Sequence, residues 1–327
     1  LSEETGRTGE IDVSVIVVTW NSERWVAACL DALGPACLGL EWELIVVDND
    51  SSDLSADVAE VHASGRGRVI RAAENLGFAG GVNLAAETAS GRCLLLLNPD
   101  CVLDPGAVSR LVDACEADPS RAGAVPILRG VDGSSQAKFQ FRRLPTPGAF
   151  VAEILFLDRL APWNPWTARY RCRDRDFSRP GDVEQPAFAA IVLRTRIVRR
   201  EGPIDERFQP AWFDDVDYCR RLRGNGYRLV VVPEATGMHV GGASLDTMRR
   251  GVFAVYWYRN MDQYAKKWFD GRGVALLRWG ILAGMVLRIV ATAAGLGRFE
   301  SRREALRGWV EVLKAAWSRW ETTFRSS

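Results

Sequence analysis

Four short polar runs in the first hundred residues each close an apolar stretch or lie beside one. They are Thr19-Trp20-Asn21, Asp48-Asn49-Asp50-Ser51-Ser52-Asp53, Asn75-Leu76-Gly77-Phe78-Ala79-Gly80-Gly81-Val82-Asn83 and Asn98-Pro99-Asp100. Asn, Asp, Gly and Ser also build ordinary turns, so the Asp48–Asp53 run taken alone reads equally well as turn chemistry. Four such runs at successive strand ends are harder to dismiss, because open α/β sheets bind ligands beyond the carboxyl ends of their strands. Farther along, Asp214, Asp215 and Asp217 begin a helical stretch. Acidic residues there complement the helix dipole, and at least one of the three is expected to do only that. His239 stands in His-Val-Gly-Gly-Ala-Ser after a strand; without its context it reads as a polar group at a strand end. His62, the other histidine, has no motif around it and is read as surface.

The elements that must position these residues follow from periodicity. Val13–Val18, Leu44–Val47, Arg68–Arg71 and Cys93–Leu97 read as strands. Between them come helical stripes: Trp25, Ala28, Cys29, Ala32 and Leu33; then Leu54, Val58 and Val61, with Asp53 as N-cap; then 78–88 despite Gly80 and Gly81. Asp104-Pro105 is expected to open a further helix as N-cap and first residue, with Val108, Leu111, Val112 and Cys115 inward. The alternation predicts a largely parallel sheet covered on both faces. Residues 136–186 are rich in Arg, Pro and Trp, include Pro162-Trp163-Asn164-Pro165-Trp166, and read as an irregular insertion. Order returns with a strand at 187–193, a helix near 214–223, and a strand at 227–232 ended by Pro233.

Composition narrows the class. The 327 residues allow one large domain or a domain with an appendage, and 47% hydrophobic content supports a sizeable core. A formal charge of +1 gives no reason to expect a nucleic-acid partner, but its distribution is uneven. From Lys266 to Ser327 twelve Lys/Arg face five Asp/Glu, a local +7, which leaves −6 for the rest. A basic tail on an acidic body suggests an anionic surface as partner. Seven cysteines without a CxxC pair fit a reducing cytoplasm, and the polar stretch 1–12 is expected not to be a secretory signal.

Within the tail, 274–296 is apolar but carries Arg278 and Arg288, about 80° apart on a helical wheel and so on one face. A second helix near 300–322 aligns Leu306, Trp309, Val310, Leu313, Trp317 and Trp320, with Arg302, Arg303, Arg307 and Lys314 elsewhere. This profile fits helices lying in a membrane interface. A spanning helix ranks second, because two central arginines cost about 2.5–3.5 kcal/mol each. A helical subdomain packed on the core is the third reading. A chain cut after about Gln263 is expected to stay folded.

Taken together, the runs at 19–21, 48–53, 75–83 and 98–100 resemble family 2 glycosyltransferases of the GT-A fold, and within them the bacterial rhamnosyltransferase-like group. The second half agrees, through Gly202-Pro203-Ile204-Asp205-Glu206-Arg207-Phe208, Phe213-Asp214-Asp215-Val216-Asp217-Tyr218-Cys219-Arg220-Arg221, Val232-Pro233-Glu234 and His239-Val240-Gly241-Gly242-Ala243-Ser244. The resemblance covers about 13–244 and gives little guidance beyond Met261. It implies an α/β GT-A catalytic domain over 1–260, interrupted by the 136–186 insertion, and a basic amphipathic tail over 261–327.

It also implies roles. Asp48 is similar to the residue that accepts from the nucleotide base, and Asn75, Gly77, Gly80 and Gly81 would let backbone approach the donor. Thr19, Asn21, Asn83 and Asn98 join them as donor contacts. Asp100 is similar to the last Asp of the DxD metal motif and also touches the donor. Asn98 departs from that motif at its first position and removes one ligand charge. His239 matches a position that adds a ligand to Mg²⁺ or Mn²⁺. Asp215 matches the general base of an inverting displacement, with Trp212, Asp214 and Asp217 on the acceptor side or in support. The donor implied is dTDP-L-rhamnose. The acceptor is a polyprenyl-diphosphate-linked sugar of cell-envelope polysaccharide synthesis, at the cytoplasmic face of the plasma membrane.

Arg142, Arg143, Arg169, Arg171, Arg173, Arg175 and Arg179 would either grip a lipid-linked diphosphate or pair at the surface with Asp174, Asp176 and Asp182, the reading slightly preferred. A homo-oligomer is left open. The rivals are another nucleotide-sugar transferase of this fold, a nucleotidyltransferase, whose glycine-rich basic signature is missing at Thr19-Trp20-Asn21, and a non-catalytic nucleotide-sugar binder.

Overall fold

Period-two alternation divides each N-terminal strand between two apolar layers. In the computed structural model, which describes residues 10–161, 163–241, 250–296 and 301–318, β1 (Val13–Thr19) sends Val13, Val15 and Val17 to one face and Ile16 and Val18 to the other. β2 (Trp42–Asp48) splits Leu44 and Val46 from Ile45 and Val47 in the same way. β3 (Gly67–Arg71) lies at the sheet edge, and β4 (Cys93–Leu97) is buried throughout. Near-continuous apolar strands of this kind need cover on both faces. It comes from α1 (Glu23–Asp31), α2 (Leu33–Ala36), α3 (Ser55–Ala63), α4 (Gly77–Thr88) and α5 (Ala107–Glu116). β5 (Cys101–Leu103) and β6 (Arg121–Arg129) complete this half.

The segment 136–186 is more ordered than its composition suggests. It holds α6 (Ala137–Gln140), β7 (Phe141–Arg142), α7 (Pro147–Ile154), α8 (Leu157–Leu160), α9 (Pro165–Tyr170), β8 (Gly181–Val183) and β9 (Gln185–Pro186). Its prolines start helices: Thr146 caps α7 before Pro147, and Asn164 caps α9 before Pro165. Several of its arginines are paired internally, Arg143 with Asp174 at 2.6 Å and Arg171 with Glu153 at 2.6 Å and Asp158 at 2.9 Å.

β10 (Ala190–Arg194), α10 (Thr195–Glu201), α11 (Asp214–Gly224) and β11 (Arg228–His239) follow, then α12 (Arg250–Trp268), α13 (Gly271–Ala293) and α14 (Arg302–Trp317). The main sheet runs β3-β2-β1-β4-β10-β6-β11-β5, with β8 also on β11. The expected parallel arrangement holds for the first four strands. Beyond them the sheet is mixed, since β10 is antiparallel to β4 and β6, and β11 to β5 and β8.

Three local expectations change. Pro233 does not end β11: the register with β6 shifts between Val232 and Thr236, and this irregularity absorbs the proline and carries the strand to His239. α5 begins at Ala107 after Gly106 at φ 69°, while the Asp104 carboxylate bonds Thr236 and Arg129 instead of capping. Asp53 accepts from Ser55 N–H at 3.0 Å and also from Glu23 N–H at 3.0 Å, so it serves the start of α1 as well.

The C-terminal helices form a third apolar cluster with α7 and α11, built on Phe150, Phe213, Tyr258, Tyr264, Ile281 and Val312. A division at 260/261 therefore falls inside α12. Cutting after Gln263 would remove the buried Tyr264 together with Lys267 and Trp268, which hold Asp217. The expectation that such a chain stays folded gives way on that ground. Arg278 and Arg288 do share the protein-facing side: Arg278 pairs with Asp262 at 2.8 Å, and Arg288 donates to the Ile154 carbonyl at 2.6 Å. Of the stripe expected on α14, Trp309 and Leu313 pack inward beside the buried Val312 and Ala316; Trp317 is exposed, and Trp320 lies outside the described residues. The open apolar row is on α13, where Leu276, Trp279, Val286, Leu287 and Val290 are 48–68% exposed. By length and composition α13 could cross a membrane, with 28% of its apolar window buried.

Candidate functional site

Register gathers the polar runs at one sheet edge. Thr19 lies opposite Asp48, Val17 opposite Leu97, and Leu97 opposite Ala190. Asp48 is buried; its Oδ1 accepts from Thr19 Oγ1 at 2.9 Å and Ser51 Oγ at 2.6 Å, and its Oδ2 from Ser51 N–H at 3.0 Å. One acceptor position remains on Oδ2. Asn21, at φ 50°, accepts from Ser52 N–H at 2.9 Å, and its own N–H donates to Ser51 Oγ at 3.0 Å. Thr19 and Asn21 therefore brace the loop around Asp48.

The third run begins α4. Asn75 Oδ1 accepts from Gly77 N–H at 2.9 Å, and Asn49 Nδ2 donates to the Gly77 carbonyl at 2.9 Å, holding Gly77 at φ 72°. The close approach these glycines permit is to protein atoms. A Cβ on Gly77 would lie 3.1 Å from the Pro210 carbonyl, and one on Gly81 only 2.7 Å from Val18 of β1. Gly80 is buried in the same helix, against Leu76 and near Glu206. Asn83, expected among the donor contacts, has its amide filled by the 204–206 loop. It donates to the Ile204 carbonyl at 2.9 Å and Glu206 at 2.8 Å, and accepts from Ile204 N–H at 2.9 Å. It is a clasp between α4 and that loop. Asn49 Oδ1 is buried without a partner, a detail no sequence signal marks.

Asn98 and Asp100 follow β4 directly. Asn98 N–H donates to the Ala189 carbonyl at 2.8 Å. β5 and β11 then pair Cys101 with His239, which brings His239 Nε2 to 3.5 Å from Asp100 Oδ1, while Gly241 N–H donates to Asp100 Oδ2 at 3.1 Å. Asp100, Cys101 and His239 converge closely enough to hold a cation. The Cys101 Sγ donates to the Ala189 carbonyl at 3.3 Å and is engaged on the protein side. Asp100 and His239 are left as an oxygen and nitrogen pair, which fits a divalent ion whose remaining positions go to phosphate oxygens. Gln136, missed in the sequence, reaches both the ring and the carbonyl of His239.

The acidic cluster occupies the first turn of α11, behind Trp212 and Phe213 at φ 72° and 74°. Side chains seldom adopt this left-handed conformation. Asn260 of α12 holds the loop by donating to the carbonyls of Gln209 at 3.2 Å, Ala211 at 2.9 Å and Trp212 at 3.3 Å. The Trp212 ring packs edge-on against Phe253 and Trp257. Asp217 is fully buried, and its oxygens take Lys267 Nζ at 2.8 Å and Trp268 Nε1 at 2.7 Å, so it anchors the tail to α11. Asp215 is half-buried, accepts from Val216 N–H at 2.7 Å and lies by the backbone of Phe188. Burial pushes its pKa up to about 6, in spite of that donor. Asp214 is also raised, by burial and then by the charge on Asp215. Phe188 precedes Ala189, whose carbonyl takes Asn98 N–H, so Asp215 and the Asn98–Asp100 run lie by adjacent residues. A carboxylate poised as a base beside an anion-tolerant cation site can deprotonate a hydroxyl while negative charge develops opposite.

Comparisons with known proteins agree. A dolichol-phosphate mannosyltransferase of Pyrococcus furiosus is 26% identical over 278 residues, 83% of this chain and 71% of that one. The putative glycosyltransferase EpsH of Bacillus subtilis is 32% identical over 95 residues, 28% of this chain and 27% of its own. Among solved structures, the Pyrobaculum calidifontis mannosyltransferase PcManGT, in complex with GDP-Man and Mn²⁺, superposes with TM-score 0.54 at 16% identity, covering 97% of this chain and 89% of that one. S. aureus TarS 1–349 with UDP-GlcNAc does so with TM-score 0.51 at 14% identity, covering 96% and 93%. These likenesses establish the GT-A fold. The model of Glycosyl transferase family 2 matches residues 14–179, half of the chain, and this protein is therefore a glycosyltransferase of family 2.

Proposed function

We propose that this enzyme moves a sugar, with inversion, from a nucleoside-diphosphate donor to a hydroxyl of a polyprenyl-diphosphate-linked sugar, and that the donor is dTDP-L-rhamnose. The observation that carries the reaction type is the placement of Asp215. Its carboxylate accepts from Val216 N–H at 2.7 Å and lies by the backbone of Phe188, while the neighbouring Ala189 carbonyl takes Asn98 N–H. This placement supports a base and a leaving-group side served by one short stretch of chain.

Asp215 takes the proton of the acceptor hydroxyl as that oxygen bonds to the anomeric carbon. The bond from this carbon to the diphosphate oxygen breaks, and its electron pair leaves with the nucleoside diphosphate. A single displacement inverts the centre without a covalent enzyme intermediate. A pKa near 6 keeps Asp215 ionised at neutral pH while making it more basic than an exposed carboxylate. Asp100 and His239 would hold a Mn²⁺ or Mg²⁺ ion, and such an ion neutralises charge on a leaving diphosphate. An imidazole ligand favours Mn²⁺ over the oxygen-seeking Mg²⁺.

Support for rhamnose is the resemblance of the ordered motif set; the GDP-Man and UDP-GlcNAc of the structural relatives are the competing donors. A cytoplasmic, membrane-peripheral location is supported by the open row on α13. Exposed Arg272 stands at one end of it, and the Arg302 guanidinium lies beside Gly295 at the other.

The test offers the full chain dTDP-L-rhamnose, GDP-mannose and UDP-GlcNAc in turn, with a polyprenyl-diphosphate-linked GlcNAc and Mn²⁺. Labelled lipid is expected from dTDP-L-rhamnose, lost in EDTA and restored by Mn²⁺. Transfer from another donor would replace the sugar. Full transfer in chelator would remove the metal. Donor binding with neither transfer nor hydrolysis would leave a non-catalytic binder.

A further inference from the structure

His239 can present a lone pair to a cation only through the ring nitrogen that carries no proton, and a neutral imidazole has one of each. The environment on its far side decides which. β11 pairs with β6 so that Met238 lies opposite Arg129, and a tight turn over 130–134 then brings the chain back beside the end of β11. Gln136 sits at that return. Its N–H donates to the Leu128 carbonyl at 2.9 Å, and the segment is pinned by the buried Gln140, which donates to the Pro126 carbonyl at 2.7 Å and accepts from Leu128 N–H at 3.0 Å. From this rigid position Gln136 Nε2 donates to the main-chain carbonyl of His239 at 2.8 Å, and its Oε1 lies 2.9 Å from His239 Nδ1.

The donor and acceptor inventory leaves one consistent arrangement. The His239 carbonyl can only accept, so the amide NH₂ of Gln136 must face it. Oε1 then faces Nδ1, and two acceptors at 2.9 Å are avoided only if Nδ1 carries the proton. Turning the amide round would set Oε1 against the carbonyl at 2.8 Å. We infer that Gln136 is a positioning residue that fixes His239 as the Nδ1–H tautomer and so presents its Nε2 lone pair beside Asp100 as a cation ligand. The inference rests on the reading of Asp100 and His239 as the cation site. It makes Gln136 the outer partner that metal-binding histidines commonly have, and loss of such a partner costs about 10–100-fold in metal affinity.

The chain has two histidines, so ¹⁵N-histidine labelling of the metal-free protein is easily assigned, with His239→Gln identifying the signal. Long-range ¹⁵N–¹H correlation is expected to show His239 protonated at Nδ1; an Nε2–H ring overturns the proposal. Mn²⁺ titration, followed by the resonance of the free ion, adds a readout that needs no turnover. Gln136→Leu should lose the tautomer and weaken Mn²⁺ by about 10–100-fold. Gln136→Glu still accepts from Nδ1–H through one oxygen once the other swings off the His239 carbonyl, so it should keep the tautomer and most of the affinity. Were Gln136→Glu to fail alongside Gln136→Leu, Gln136 would be a backbone brace only. If the leucine variant does not fold, the wild-type spectrum and the glutamate variant still decide. Absence of Mn²⁺ binding by the wild type would overturn the cation site itself, and the tautomer is read independently of it.

Discussion

Asp100 and Asp215 face the same sheet edge, yet different material holds them. Asp100 stands where β4, β5 and β11 meet, fixed by ladder register and by Gly241 N–H. Asp215 lies in the first turn of a helix whose two preceding residues are left-handed, a conformation costing about 1–3 kcal/mol at each such residue. The compensation comes from α12. Asn260 collects the loop carbonyls, and Lys267 and Trp268 neutralise and bond Asp217 one turn into α11. On the proposed roles, the cation half of the site is thus a property of the sheet, and the base half a property of the sheet and tail together.

The sharpest way to separate the halves is Asp215→Asn. Turnover should fall about 10²–10⁴-fold with donor and Mn²⁺ affinity nearly unchanged, whereas Asp100→Ala should lose Mn²⁺ and donor affinity together. Near-wild-type turnover in Asp215→Asn, with the loss appearing in Asp214→Asn or Asp217→Asn, would move the base along the helix.

Next in size is Lys267→Met, which leaves Asp217 buried without its cation. Breaking a buried pair costs about 3–5 kcal/mol, and the lower end applies because Lys267 is partly exposed. Urea unfolding should show that loss, while Mn²⁺ binding persists below the transition. Unaltered stability would break the comparison.

A smaller effect follows from pH. Asp214 and Asp215 have folded pKa values above the unfolded carboxylate value of about 3.9, so the folded state binds the extra protons. Their contribution to stability is fully present below about pH 4 and is lost as pH rises through the folded values. Asp214→Asn should therefore raise Tm at pH 8 and leave it unchanged at pH 4, while wild-type turnover falls as acid protonates Asp215 near pH 6. An equal Tm gain at both pH values would contradict buried charge as the cause.

Smallest for catalysis is Trp279→Glu. It should weaken sedimentation with anionic liposomes and leave turnover on a soluble acceptor intact. Unchanged sedimentation would place any membrane contact away from α13.

The difference between the halves also explains what the sequence discloses. Strand ends announce themselves because an apolar run stops at Thr19, Asp48 or Asn98, and register then carries neighbours into place. Asn260, Lys267, Trp268 and Gln136 have no such local mark, because each is defined by a partner roughly 50 to 100 residues away. Asn83 was visible as a motif member, but its role depends on Ile204 and Glu206, far along the chain. Pro233 misled for the opposite reason: the local rule is sound, and a shift in register with β6 overrode it. The α14 stripe was correctly apolar, while the surface it meets could be learned only from the packed bundle.

The pair Phe188 and Ala189 carries one more consequence. Both meet the polar runs through main chain, the backbone of Phe188 beside Asp215 and the Ala189 carbonyl on Asn98 N–H. On the proposed roles, the reach between proton acceptor and departing group is thus gauged by a length of backbone. The side chains themselves are buried, Phe188 against Tyr218 in one apolar layer and Ala189 in the other, so both layers of the core meet the polar runs at this one peptide.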